Sequence, residues 1–164
     1  MPYDEGELFI SIGTDRLQGN LLGEPGFDRV KVIETEGEFT RVGRVFEGLT
    51  FTAEGMDMVL TFRNLHNFTP DGRAAINASA FAALKSGGYY GVVDHTRRHM
   101  QKANDENWRR MDPVLAIKEI EAAGFEFVDY SDLHYRYDDE LRYEVGRRSV
   151  TGNTDRFTLL FRKP

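Results

Sequence analysis

Residues 57–68 read D-M-V-L-T-F-R-N-L-H-N-F, residues 69–85 T-P-D-G-R-A-A-I-N-A-S-A-F-A-A-L-K, and residues 86–95 S-G-G-Y-Y-G-V-V-D-H. This stretch decides the fold. Met58–Phe62 is short, apolar and partly β-branched, which predicts a buried strand. Thr69-Pro70 predicts a capped helix start with proline at the first helical position. Ile76, Ala80, Phe81 and Leu84 then recur at helical spacing along one apolar stripe. Gly87-Gly88 is expected to end the helix, and Tyr89–Val93 to form a second strand. Strand, crossover helix and strand make a βαβ unit with parallel strands. Ligands of such sheets sit beyond the carboxyl ends of the strands. Arg63, Asn64, His66 and Asn67 stand at one of those ends, and Asp94 and His95 at the other.

Upstream, Leu8–Ile12 is read as a strand, and Asp15–Leu22 as a short helix capped by Thr14. G-E-P-G at 23–26 is a turn. Arg29–Glu34 alternates as a strand does. Phe39–Phe51 mixes β-formers with glycines and reads as irregular, with room for a short strand or hairpin. Downstream, Thr96–Met111 is a polar connection with room for a helical turn. Asp112-Pro113 starts a helix with Val114, Ile117, Ile120 and Ala123 on its buried face and Gly124 after it. Phe125–Tyr130 and Arg156–Phe161 are strands. Between them lies a charged, tyrosine-rich loop containing Asp138, Asp139 and Glu140 in a row. Two βα units feeding one sheet predict an α/β layer architecture.

The whole chain has 164 residues, a length that fits one domain spanning 1–164. Its net charge of -6 argues against non-specific nucleic-acid binding. The absence of cysteine removes disulfides, thiolate chemistry and Cys-ligated zinc, and fits a cytoplasmic location. No apolar run approaches the ~20 residues needed to cross a bilayer. No membrane and no nucleic-acid partner is therefore expected.

The words quoted from 57–68 and 84–95, with I-E-A-A-G-F at 120–125 and T-D-R-F-T-L-L-F-R-K-P at 154–164, resemble the C-terminal half of class I S-adenosylmethionine-dependent methyltransferases. The resemblance covers residues 29–164, while residues 1–28 read poorly. It implies a partial Rossmann-like sheet of parallel strands with an antiparallel C-terminal strand. In that order Arg29–Glu34 would be the third strand, Met58–Phe62 the fourth, Tyr89–Val93 the fifth, Phe125–Tyr130 the sixth and Arg156–Phe161 the seventh.

The resemblance also implies S-adenosylmethionine as cofactor. The family builds that site on a glycine-rich turn after its first strand, where backbone approaches ligand closely. Here the nearest counterpart, I-S-I-G-T-D at 10–15, has one glycine. The chain is therefore expected to lack the cofactor motif and to bind the cofactor poorly alone. It would be a methyltransferase only if a missing N-terminal half were supplied. The other reading is a non-catalytic oligomerising or ligand-binding domain on the same scaffold. A missing first strand would leave the fourth strand's edge open, so a homo-oligomer is expected; Leu8–Ile12 could instead patch that edge within one chain. A small-molecule substrate is the other expected partner.

His66 is the candidate catalytic base, because the histidine pKa lies near neutrality. It could equally order its turn by bonding loop backbone. Arg63, Asn64, Asp94 and His95 are the candidate pocket residues. Asn64 suits a ligand's polar edge but could also cap the turn. Asp94 could orient a histidine, yet neighbours on a strand point to opposite faces, so Asp94 and His95 should not both face one ligand unless the strand has ended. No metal site is expected. His134 is expected in solvent, the loop tyrosines packed on the domain, and Arg97, Arg98, Arg109 and Arg110 in a solvated, salt-bridged connection.

Overall fold

A computed structural model gives the fold and describes residues 6–12, 14, 23–27, 29–33, 35–40 and 45–164. The expected helix at 15–22 and the glycine at 13 lie outside the described residues. The elements are β1 (Leu8–Ile10), β2 (Val30–Val32), β3 (Thr35–Thr40), β4 (Val45–Phe51), β5 (Met56–Phe62), a 3-10 turn (Leu65–Asn67), α1 (Pro70–Ala83), β6 (Leu84–His95), α2 (Pro113–Ala122), β7 (Glu126–Ser131) and β8 (Arg156–Arg162). The fold is α/β. A four-stranded sheet has the order β5-β6-β8-β7. β5 and β6 are parallel, and β8 runs antiparallel between β6 and β7.

β1 and β2 form a separate parallel pair. β1 therefore does not patch the edge of β5, which pairs with no second strand among the described residues. In the stretch read as irregular with room for a short strand or hairpin, β3 and β4 pair antiparallel, and their register shifts between Glu36 and Glu38.

α1 starts as its sequence dictates: Thr69 Oγ1 accepts from Gly72 N at 3.2 Å, and Pro70 opens the first turn. Its end departs from expectation. The helix stops at Ala83, Leu84 is already extended, and β6 begins without a loop. Gly87-Gly88 lies inside β6. There β6 advances from Leu84 to Tyr89 while β5 advances only from Met56 to Met58. Gly87 takes φ +78, and a Cβ on Gly88 would sit 2.9 Å from Lys85 O and 3.1 Å from Met56 O. The glycines make a bulge that only residues without Cβ fit.

Ile76, Ala80 and Leu84 join Tyr90, Val92, Phe157, Leu159 and Phe161 in one core, with α1 and α2 over one face of the sheet. Phe125 stacks within 5.1 Å of both Phe81 and Tyr90. On α2, Asp112 Oδ1 caps Val114 N at 2.9 Å. Ala116 and Ile120 are its buried residues, whereas Val114, expected inside, is exposed.

The reading of β5 as a buried strand is corrected. Met58, Leu60 and Phe62 are 50%, 54% and 61% exposed. They alternate onto the face that no described helix covers. No helix among the described residues is long and apolar enough to cross a membrane.

The 131–155 segment is a loop, as read, but not a solvated one throughout. Asp139, expected outside, is buried. His134 is half-buried, its Nδ1 2.8 Å from Thr158 Oγ1. Of the loop tyrosines expected to pack on the domain, Tyr130, Tyr135 and Tyr137 are exposed, whereas Tyr143 is half-buried beside Arg142 and Arg147. What holds the loop is ionic, not aromatic: Arg110 Nη1 and Nη2 donate to the Asp139 carboxylate at 2.8 and 3.0 Å.

Candidate functional site

The βαβ unit brings two strand ends together. Beyond β5, Arg63 takes φ +52 while its N–H still donates to Val93 O at 2.7 Å. The chain then turns sharply, and fully buried Leu65 pins the 3-10 turn into the core. That places His66 across the end of β6. Asp94 accepts from His66 N at 3.0 Å, from His66 Nδ1 at 2.5 Å and from His95 N at 2.7 Å. Both side chains of this dyad are enclosed, 5% exposed for His66 and 1% for Asp94.

An ionised carboxylate only accepts hydrogen bonds. The proton of neutral His66 is thereby assigned to Nδ1, and Nε2 keeps its lone pair. A carboxylate behind one ring nitrogen, leaving the other as acceptor, is an arrangement suited to general-base work.

His95 stands on the far side of His66, ring centroids 5.3 Å apart. Its Nδ1 lies 2.8 Å from the Thr154 hydroxyl. Burial pushes its pKa down to about 4; Asp94 opposes this, while His66, Arg156 and Arg63 add to it. Asp94 and His95 both meet His66, whose 3-10 turn lies over the end of the strand.

His66 lines an open cleft of about 590 Å³. One wall is the start of α1, with Thr69, Pro70 and Arg73. The other is the 97–111 connection, with Arg97, Trp108, Arg109, Arg110 and Met111. That connection is a pair of turns closed by a bridge between Thr96 and Met111, with no helix in it. On the α1 wall Arg73 grips Glu119 with two bonds of 2.6 and 2.7 Å. Nor are Arg97, Arg98, Arg109 and Arg110 of the connection a solvated set. Arg109 reaches Glu144 at 2.5 Å and packs 4.6 Å over the Trp108 ring. Arg110 is buried against Asp139. Arg98 alone of the four is exposed.

The structure thus joins His66, Asp94 and His95 and leaves two candidates apart. Asn64 begins the 3-10 turn, its carbonyl accepting from Asn67 N at 3.0 Å, and its side chain makes no capping bond. Arg63 is exposed, and neither residue lines the cleft. Thr154, Phe68 and Trp108 were not found by reading the sequence. Thr154 meets His95 across 59 residues of chain, a distance no local pattern signals.

A methyl donor of the expected kind needs close backbone approach after the first parallel strand and an acidic partner after the second. Ser11 and Ile33 follow β1 and β2; Gly13 and Glu34 lie outside the described residues. Ser11 Oγ is buried with no partner among the described residues, a single polar contact for a ligand.

No family model matches the chain, and no curated protein matches it. Solved structures do. The chain is similar to the S-adenosylmethionine-dependent methyltransferase SibL in its apo form, with a TM-score of 0.63 and 15% identity over 96% of this chain and 43% of that one. It is similar to the [4+2]-cyclase SpnF, with a TM-score of 0.58 and 15% identity over 96% and 66%. It is also similar to the glycopeptide N-methyltransferase MtfA complexed with S-adenosyl-L-homocysteine, with a TM-score of 0.56 and 11% identity over 90% and 67%. The chain therefore spans 66% of the cyclase and under half of SibL. At these identities the likeness concerns fold, and the fold is that of the S-adenosylmethionine-dependent methyltransferases.

Proposed function

We propose that this chain is a methyltransferase-like protein in which His66, held by Asp94, takes the proton from a small acceptor, and that the chain alone holds S-adenosylmethionine weakly. The observation that carries the first half is the enclosed His66–Asp94 pair opening onto the cleft at the strand ends. An acceptor hydroxyl or amine placed at Nε2 loses its proton to that nitrogen as it becomes nucleophilic. Asp94, bonded to Nδ1–H, stabilises the imidazolium that forms. S-adenosylmethionine, when bound, supplies an electrophilic methyl group. The chain's own share is positioning and removal of the proton.

The weak-binding half rests on the sequence, where the turn I-S-I-G-T-D at 10–15 carries one glycine. Calorimetric titration with S-adenosylmethionine tests it: low-micromolar affinity would overturn it. Methyl transfer at millimolar S-adenosylmethionine, absent in His66→Gln, is the expected outcome for the first half. No transfer to any hydroxyl or amine acceptor at that concentration refutes it.

A second reading, a non-catalytic domain that associates with its own copies, is favoured by the apolar face of β5. Fold cannot choose between the two, since a cyclase shares it.

A further inference from the structure

Three of the four arginines that line the cleft are matched by carboxylates of this chain: Arg73 by Glu119, Arg109 by Glu144 and Arg110 by Asp139. Arg97 is not. Its Nη1 donates to the Arg110 carbonyl at 3.3 Å, and its Nε is enclosed with no partner among the described residues. No carboxylate among the described residues lies within ion-pair distance of it. Burial lowers its pKa, Asp112 opposes from a distance, and Arg73 adds to the lowering. A guanidinium in this position is stabilised by an anion brought into the cleft. Trp108 and Phe68 line the same space, giving it apolar, flat surfaces. The volume of about 590 Å³ suits a small organic molecule.

We propose that the cleft takes a planar hydroxylated carboxylic acid, its carboxylate paired with Arg97 and its hydroxyl directed to His66 Nε2. This rests on the reading of His66 as the acceptor's base and adds the acceptor's class. One unmatched guanidinium selects a monoanion. A phosphate dianion would call for several cations, and the other three in this cleft are already committed. The planar fork of arginine also matches carboxylate geometry.

The test uses 4-hydroxybenzoate and its neutral counterpart 4-hydroxybenzamide, titrated calorimetrically without any methyl donor. The acid is expected to bind at least about tenfold more tightly than the amide, as loss of a charge-assisted bond implies. In Arg97→Leu the two should bind within about twofold of each other. Arg97→Lys should keep part of the preference, and it serves if the leucine variant fails to fold. Equal binding of acid and amide to the wild type overturns the proposal. So does an acid preference that survives in Arg97→Leu, or no binding of the acid at millimolar concentration. The donor is left out, so absence of methyl transfer refutes only the transferase reading. Transfer to acid and amide at equal rates keeps that reading and sinks this one.

Discussion

Asp94 meets His66 twice, through the backbone N–H at 3.0 Å and through Nδ1 at 2.5 Å. One carboxylate thus fixes both where the histidine sits and which way its ring faces. Asp94→Asn removes this: a carboxamide presents one acceptor oxygen in place of two. The variant should lose about 1–3 kcal/mol of stability. Nitrogen NMR of the imidazole should show wild-type His66 protonated at Nδ1 and the variant as a mixture. A wild-type ring protonated at Nε2 would contradict the assigned geometry. His66→Ala should also destabilise, since it strips Asp94 of one of its three donors.

His95 gives the protein an acid-sensitive element. Folded, it binds its proton at about 4; unfolded, at about 6.5. Between those values the unfolded chain holds more protons, so acid favours unfolding. The contribution is fully present above about 6.5 and is lost as pH falls towards 4. Asp94, His66, Arg156 and Arg63 are the neighbouring titratable groups that modify this shift, after burial. Denaturant midpoints at pH 7, 5.5 and 4.5 should fall more steeply for the wild type than for His95→Asn. Parallel profiles would show that His95 does not titrate as described.

The strand and helix order from residue 57 onward was legible because each join carries a chemical signal. Thr69-Pro70 and Asp112-Pro113 both cap and open their helices as written. Gly87-Gly88 misled because glycine serves equally to end a helix and to bulge a strand; only the pairing of β5 with β6 decides. Met58, Leu60 and Phe62 look like core in sequence, because apolarity does not reveal whether a second layer covers a sheet. At the site, His66 and Asp94 were visible from their places at strand ends. Their mutual bond was not, because it depends on the turn that carries His66 over β6. Arg110–Asp139 was invisible for a simpler reason: arginine and aspartate are rarely buried, and 29 residues separate them.

That buried pair joins two distant segments of the chain. Arg110 and Asp139 are 0% and 1% exposed in their side chains. Arg110 also donates to Tyr143 O at 2.6 Å and Thr96 O at 2.9 Å, while Asp139 accepts from Asp155 N at 2.7 Å. Together they fasten the 131–155 loop to the wall of the cleft. Removing one partner strands the other charge away from water. Arg110→Ala should therefore cost about 3–5 kcal/mol. Arg110→Lys should rescue little, because an ammonium cannot reproduce the fork. In a double-mutant cycle with Asp139→Ala, the two losses should be strongly non-additive. Additive losses would mean that the two side chains do not depend on each other.

Met58, Leu60 and Phe62 project from a strand whose outer edge pairs with no described strand. Leu60 and Phe62 continue into a shallow apolar groove of about 390 Å³ with Val93, Tyr130, Leu133 and Leu160. An apolar face beside unpaired backbone N–H and C=O groups is a template for strand addition. A second copy, docked by twofold symmetry, would cover both at once. Light scattering at micromolar concentration is expected to give a dimer. Leu60→Lys, on the exposed face, should yield a monomer with unchanged circular dichroism, because Leu60 belongs to the groove and not to the core under α1. A wild-type monomer at that concentration would defeat the self-association reading.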